Sequence, residues 1–468
     1  MLSTHASTNR LPTSTEAWRD HCFPLAFEVD IEDGRLHRVT VFDSAYVVFR
    51  DQTGAIRVLE DRCPHRMARL SDGRLVGGEV ECLYHGWRFA ADGRCTRIPQ
   101  LEGEKAIPKA MCAKPIPSAV RQGIVWIHGL GENVGGDVGG AHARDIPTIA
   151  ALERDDCRTI DFSIDLPYGH DFLIENVLDY AHIHVAHDGV RGGGQIGLAG
   201  PLAFDIEGRT ASGFSASFGR SNGGRVETGA DLAAARVEFV APGLVHYWSE
   251  YRSEGASHAA PGRIAGLALY SLPLGQERCR LLYRAYTNFA PLRDRLRPRF
   301  WEHGFQCHLL EQDMAVVRGQ AEAIARSEEP LHKSWRPLGS SDTLVLAYRA
   351  WLDEFAAGRP DAIGLRTRGT DSGRMPDARP TSRLRDHVAQ CSSCRRALVA
   401  TRRVRTVAHI AAFVLLAVAV CCAPSSLSIV LASLAVASFL TNRIASALCH
   451  RLTKSPDNGG EPANPPNC

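Results

Sequence analysis

The chain is short of net charge: 54 Lys and Arg nearly cancel 52 Asp and Glu, leaving a formal +2. That balance carries no electrostatic footprint for nucleic acid, which is not expected as a partner. No secretory leader is expected either, because Met1 to Asn9 contain no apolar run. The same start is rich in Ser and Thr and has no acid before Glu16, so residues 1–17 read as a flexible N-terminus. No repeat of fixed period is evident. Gly192-Gly193-Gly194-Gln195-Ile196-Gly197 matches a dinucleotide-type glycine pattern but does not lie between a strand and a helix, so it reads as a mobile loop. The 14 cysteines are not spaced like a small disulfide scaffold, which a chain of 468 residues does not need.

What is present is apolar material, 44% against 23% charged, enough for more than one packed core. Residues 18–140 read as short strands, among them Val39–Phe42, Ala45–Phe49 and Ile124–Ile127. Turn signals separate them at Asp33-Gly34, Thr53-Gly54, Asp72-Gly73, Gly77-Gly78 and Asp92-Gly93, an all-β pattern. Residues 141–356 are mixed. A helical stretch surrounds His170 to His187, strand-like segments follow at Val237–Val240, Leu244–Trp248, Gly266–Tyr270 and Arg280–Arg284, and a long helical pattern runs from about Leu292 to Arg326. A further helix is expected after Ser341-Asp342, a suitable N-cap. Residues 357–385, rich in Gly, Pro, Arg and Asp, read as a linker.

Residues 386–406 form a basic segment that contains Cys391-Ser392-Ser393-Cys394. Residues 407–440 then hold two apolar runs, Val407–Ala423 and Leu427–Leu440, with a turn at Pro424-Ser425-Ser426. Each run is shorter than the ~20 residues of a comfortable span, but the pair reads as a membrane hairpin. Arg395, Arg396, Arg402, Arg403 and Arg405 precede it, and Arg443, Arg451 and Lys454 follow it in the polar tail 441–468. Basic flanks on both sides place the rest of the chain on the cytoplasmic or stromal face of the membrane.

The first chemistry-bearing pattern is Cys63-Pro64-His65, a gap of 16 residues, then Cys82-Leu83-Tyr84-His85-Gly86-Trp87. Each half offers one thiolate and one imidazole. A Rieske [2Fe–2S] cluster takes two Cys on one iron and two His on the other. The rival is a Cys₂His₂ zinc site, but zinc patterns usually pair like with like, and each loop here is mixed. Cys95 and Cys112 have no partner motif and read as ordinary thiols.

The second pattern is Glu175-Asn176-x-x-Asp179-x-x-His182-x-His184-x-x-His187. Two His and one carboxylate on one face of Fe(II) leave positions open for O₂ and substrate. His182 lies one helical turn from Asp179, whereas His184 points away and His187 reaches the same metal only if the helix ends or distorts. Gly189 and Gly192-Gly193-Gly194 support such an ending. The carboxylate is expected from Leu309–Gln320. Asp313 is the candidate, because it sits among apolar residues, and Glu311 is the fallback.

On these motifs and the hydrophobic tail, the chain resembles Rieske non-haem iron oxygenases, and within them the pheophorbide a oxygenase and chlorophyllide a oxygenase-like group. The resemblance covers roughly residues 18–445. It implies an α+β architecture: an N-terminal all-β Rieske domain (18–140), an antiparallel-sheet helix-grip catalytic domain (141–356) and a C-terminal membrane hairpin. It implies that Cys63, His65, Cys82 and His85 hold the cluster and that His182, His187 and Asp313 hold the iron. Asp179 would bridge an iron-ligand His to a cluster His of a neighbouring subunit, which makes a homotrimer, and Asn176 would line the pocket. Tyr180 and His184-Val185 depart from the group, which has Pro and Pro-Tyr there; both lie near the pocket and leave the substrate open.

The expected function is a membrane-tethered oxygenase acting on an apolar ring substrate, most of all a chlorin or related tetrapyrrole. The chain carries no ferredoxin-type cysteine run and no flavin or NAD motif, so a separate ferredoxin or ferredoxin reductase must supply electrons. Two rivals remain: oxidative cyclisation, hydroxylation or desaturation of another oligopyrrole, sterol or natural product, and a Rieske electron carrier without oxygenase activity. Arg395 and Arg396 beside Cys391 and Cys394 favour thiol reactivity, and the resemblance implies a thioredoxin target there; two idle thiols, or half a zinc site with His387, are the alternatives.

Overall fold

The computed structural model describes residues 21–103, 106–128, 146–190, 193–222, 225–227, 232–252, 262–291, 296–356, 362–376, 379–422 and 425–454. Residues 1–17, Gly192, Pro424 and 455–468, on which some of the expectations above fall, lie outside them. The chain divides into two units: residues 1–296 with 312–379, and residues 297–311 with 380–468.

The first unit opens with eleven short strands: β1 (Phe23–Phe27), β2 (His37–Val41), β3 (Ser44–Arg50), β4 (Ile56–Glu60), β5 (Arg74–Val76), β6 (Glu79–Glu81), β7 (Arg88–Phe89), β8 (Cys95–Arg97), β9 (Pro115–Ile116), β10 (Ser118–Arg121) and β11 (Ile124–Ile127). They form three antiparallel sheets, ordered β1-β11-β10, β2-β3-β4-β9 and β5-β6-β7-β8. The turn-rich pattern thus yields the all-β domain it implies. One strand stops early: Phe42 leaves β2, and Phe42 and Asp43 both take positive φ, 48° and 63°, in a two-residue hairpin turn. A bulky residue rarely occupies that region. Phe42 is held there by an edge contact with Phe23, at 5.2 Å between ring centroids, and by Pro273 O, which accepts from its N–H.

Eight strands follow, all but β15 longer: β12 (Arg158–Leu166), β13 (Leu202–Thr210), β14 (Gly213–Asn222), β15 (Arg225–Glu227), β16 (Leu232–Val240), β17 (Leu244–Tyr251), β18 (Arg263–Gly275) and β19 (Arg278–Thr287). They make one antiparallel sheet in the order β12-β19-β18-β17-β16-β14-β13, with β15 beside β14. Two buried arginines of β19 join this sheet to the first domain. Arg280 pairs with Asp165 and donates to Leu25 O; Arg284 pairs with Asp161 and donates to Gln122 O.

The helices up to residue 356 are α1 (His170–Leu178), α2 (Ile183–Ala186), α3 (Arg299–Ala325), α4 (Leu331–Ser334) and α5 (Thr343–Phe355), of which α1 packs on β17, β18 and β19 and α5 on β13. α5 lays Tyr348 and Trp351 edge-on against Phe239 of β16, at 5.1 and 5.0 Å. Asp342 precedes α5 as expected, but its carboxylate accepts from Leu338 N behind it and makes no cap bond into the helix. The stretch read as a linker carries packed residues: Ile363 and Arg374 are both buried.

Arg374 belongs to a buried ion cluster. Arg349 of α5 pairs with Asp171 and Glu175 of α1; Arg374 pairs with Asp171 and Glu277; Gln320 of α3 donates to Glu175. Burial would raise the Asp171 carboxyl, but Arg374 and Arg349 outweigh it and hold it at about 2. Burial dominates at Glu175 and raises it despite Arg349.

The second unit contains the first part of α3, a π-helical turn at Leu384–Val388, and the helices α6 (Ser392–Cys421) and α7 (Ser426–Thr453). Arg383 clamps Glu311 and donates to Arg451 O. α6 and α7, of 30 and 28 residues, are long and apolar enough to cross a membrane. Val407, Phe413, Val420, Ile429 and Phe439 are each more than half exposed, an apolar surface that suits lipid rather than water. Both helices extend beyond the apolar runs, to basic ends at Arg402, Arg403, Arg405 and Arg451.

The ion cluster sets an acid-stability profile. Asp171, held at about 2 against an ordinary 3.8, stabilises the fold fully above pH 3.8 and loses that contribution as pH falls through 2. Asp171→Asn should flatten the fall in unfolding midpoint between those values. At neutral pH it should cost about 3–5 kcal/mol, because two buried arginines lose a partner. Denaturant unfolding of both proteins across pH checks this; parallel profiles would contradict it.

Candidate metal centres

Cys63 and Cys82 sit at the roots of two tight turns in the first domain, both buried in one apolar cluster with Leu70, Val80, Trp87 and Phe89. Backbone bonds close each turn: Met67 N donates to Cys63 O, and Gly86 N to Cys82 O. Gly86 takes φ +73°, which lets the second turn reverse while placing His85 beside His65, at 4.5 Å between ring centroids. His65 stacks flat on Trp87 at 4.5 Å. The thiols point inward and the imidazoles sit towards the tips, where Met67, Leu83 and Tyr84 are exposed.

Two observations test which metal group the residues fit. Burial pushes the Cys63 thiol up to about 12, so a thiolate there needs cationic iron or zinc beside it. Among the described residues, two sets of His, Cys and carboxylate groups bring three or more ligand atoms within 4.8 Å of one another, and this quartet is not one of them. A mononuclear zinc site would require that convergence; a binuclear cluster with one iron at the thiols and one at the imidazoles does not. The quartet fits the cluster.

One of the convergent sets is His182, His187 and Asp313. His187 Nε2 lies 3.2 Å and His182 Nε2 3.8 Å from Asp313 Oδ1. Ligand atoms adjacent around one ion at bond lengths near 2.1 Å stand about 3 Å apart, so the trio fits a single metal after small adjustment. The chain achieves this by breaking the helix. α1 stops at Leu178, Asp179 leaves helical geometry with ψ 89°, and α2 restarts after His182 and ends at His187. The break therefore lies before His182 as well as at His187. Gly193 and Gly194 back the short helix so closely that a Cβ on Gly193 would come within 2.5 Å of His187 Cβ. This described part of the expected mobile loop is tightly packed.

Asp313, buried in α3, joins the two histidines; Glu311 instead accepts from Arg383. His184 faces the glycine loop, where its Nδ1 accepts from Gln195 N. Asp179 Oδ2 stands 3.7 Å from the buried Nδ1 of His182 while its Oδ1 accepts from Ala181 N. Sequence reasoning missed Gln312. Its Oε1 accepts from His187 Nδ1 at 3.0 Å, which keeps the lone pair of Nε2 on the metal side. Only its place beside Asp313 signalled it. A cavity of about 330 Å³ opens on His182 and Asp313, lined by Asn176, Val316, Trp335, Arg336, Asp342 and Leu346 among others.

Comparison with known proteins shows the family. The Rieske [2Fe-2S] domain family matches residues 21–111, and the pheophorbide a oxygenase family matches residues 239–330. The chain is 33% identical over 360 residues to TIC 55 of Arabidopsis thaliana, covering 76% of this chain and 64% of that one. It is 30% identical over 402 residues to pheophorbide a oxygenase of Oryza sativa subsp. japonica, covering 81% of this chain and 73% of that one. The chain belongs to the Rieske non-haem iron oxygenases, in the pheophorbide a oxygenase group. It spans just under two thirds of TIC 55, 64% of that length. The fold is that of dicamba monooxygenase, with a TM-score of 0.54 at 20% identity over 72% of this chain and 98% of that one. The family carries a Rieske [2Fe–2S] cluster and a mononuclear iron, and the two residue sets above could hold them.

His182→Ala should remove the mononuclear iron alone. Iron per chain should fall by about a third while the labile sulfide and the Rieske visible absorption stay unchanged. Gln312→Leu should weaken iron binding about 10–100-fold without touching the cluster. Iron titration of the apo-protein reads both, and an unchanged affinity in Gln312→Leu would remove that residue from the site.

Proposed function

We propose that the chain is a membrane-tethered oxygenase that uses O₂ and electrons from a ferredoxin or ferredoxin reductase to oxygenate an apolar ring substrate, a chlorin or related tetrapyrrole. The observation that carries this reading is the convergence of His182, His187 and Asp313 beside a cavity with one apolar side, downstream of the Cys63, His65, Cys82 and His85 turns. The group name, pheophorbide a oxygenase, supports the substrate class. When bound, the cluster supplies single electrons and the iron activates O₂.

The protein's own residues do the following. Gln312 holds the proton on His187 Nδ1 and fixes the ring's tautomer. Asp179 faces His182 Nδ1 and orients that ring. Asp313 brings a buried negative charge that favours a dication between the imidazoles. Val316, Val317, Val345 and Leu346 with Trp335 give the pocket an apolar side, and Asn176, Gln320, Arg336 and Asp342 add polar groups. The apolar side suits a hydrophobic ring and the polar groups suit its substituents.

Asp179 stays about one third exposed at its side chain, and His65, Met67, Leu83 and Tyr84 are exposed on the cluster turns. These surfaces support a homotrimer in which Asp179 of one copy meets a cluster His of the next. The basic ends of α6 and α7 support a hairpin whose flanks both lie on the cytoplasmic or stromal side.

Single turnover of the reduced protein with candidate chlorins under ¹⁸O₂ tests the reaction: label in the product supports oxygen insertion. Turnover of a phenolic natural product in place of every chlorin would move the substrate class. A metal content of two irons, unchanged in His182→Ala, would leave a bare electron carrier. Val316→Trp narrows the cavity and should lower kcat/KM for a chlorin about ten-fold at unchanged iron content.

A further inference from the structure

The second convergent ligand set is unrelated to the oxygenase chemistry. His303 of α3, His387 of the π-helical turn, Cys391 before α6 and Cys394 in its first turn are all buried, with their ligand atoms within 4.8 Å of one another. All four belong to the second unit. Cys391 Sγ and Cys394 Sγ each lie 3.4 Å from His303 Nδ1, and His387 Nε2 lies 3.1 Å from Cys394 Sγ. The His303 and His387 rings meet edge to face, at 5.1 Å between centroids.

We propose that His303, His387, Cys391 and Cys394 bind one structural Zn²⁺ in a closed Cys₂His₂ site at the base of the membrane hairpin. A tetrahedral zinc with bonds near 2.3 Å to sulfur and 2.0 Å to nitrogen separates neighbouring ligand atoms by about 3.3–3.8 Å, which the observed spacings approach. The donor set is two soft sulfurs and two imidazoles without a carboxylate, which favours zinc over magnesium or calcium. Four protein ligands leave no open position, so the ion is structural.

The ion would tie together elements far apart in sequence. His303 comes from α3, and the other three ligands come from a segment more than eighty residues later. Cys391 and Cys394 also pack with Val388, Leu398, Cys449 and Leu452, so the same knot reaches the end of α7. Zinc there would lock the hairpin's base against α3. The reading also competes directly with a dithiol switch at Cys391 and Cys394. Thiol–disulfide exchange requires an attacking thiolate to reach a sulfur, and each of these is 1% exposed.

The test uses the full chain, purified in detergent with its iron centres intact and never exposed to a metal-affinity resin. Elemental analysis should find about one zinc per chain beside the iron. Cys391→Ser and His303→Ala should each lose that zinc while iron and Rieske absorption persist. Because either variant could misfold locally, the unaltered protein gives a second reading. X-ray absorption at the zinc edge should show two sulfur and two nitrogen neighbours. Mass-mapped alkylation of Cys391 and Cys394 should accelerate about ten-fold or more after a chelator removes the zinc. Absence of zinc, iron in its place, zinc retained in both variants, or a Cys391–Cys394 disulfide that a reduced dithiol protein opens without metal release would each overturn the assignment.

Discussion

Arg349 is the constraint on which the first unit depends. Its guanidinium is wholly buried, a state tolerable only if carboxylates surround it, and Asp171 and Glu175 do so from one face of α1. Arg374 closes the other side of Asp171, and Gln320 satisfies the remaining oxygen of Glu175. The cluster pins α1 to α5 and to the later part of α3. α1 cannot then slide along the sheet, and the break that follows it emerges at one place. His182 and His187 lie on one side of that break, and Asp313 lies on the helix that Gln320 anchors. The metal trio inherits its geometry from an ion cluster that touches no metal.

A second set of arginines performs the equivalent task between the two domains of that unit. Arg280 and Arg284 on β19 pair with carboxylates on β12 and donate their remaining N–H groups to backbone oxygens of the first domain. The Phe42–Asp43 turn adds backbone bonds to Pro273 and Leu274 of β18. The two turns that carry Cys63 and Cys82 are anchored because their thiols are part of the domain's own core.

The second unit works by different means. Its helices expose apolar side chains along most of their length, and its packed part is a small knot at the base, around Cys391, Cys394, Leu398, Cys449 and Leu452. Such a knot buries little surface, and small cores commonly rely on a metal or cross-link. The Cys₂His₂ set and the Arg383–Glu311 pair occupy that position.

Short-range patterns were legible in the sequence wherever the chemistry is itself local. The mixed Cys/His turns, the alternation of the strands, the apolar hairpin with basic ends, and the family follow from spacings of a few residues. The choice of Asp313 over Glu311 was open, because both lie on one helix and only the register of that helix against α2 selects one. Gln312 was signalled only by its place beside Asp313, and Arg349 and Arg374 by nothing: a buried partner 125 to 203 residues away leaves no periodicity. The segment 357–385 looked like a linker because its composition is polar, yet Arg374 is polar in order to meet Asp171. Cys391 and Cys394 read as a reactive pair beside Arg395 and Arg396 until His303, 88 residues earlier, was brought against them. The sequence by itself determined which cofactors the chain can hold, since ligand type and local spacing are covalent facts. Tertiary structure alone decided which carboxylate stands with His182 and His187, which amide meets His187 Nδ1 and which thiols stand together with imidazoles, because each depends on contacts that exist only after the helices have docked.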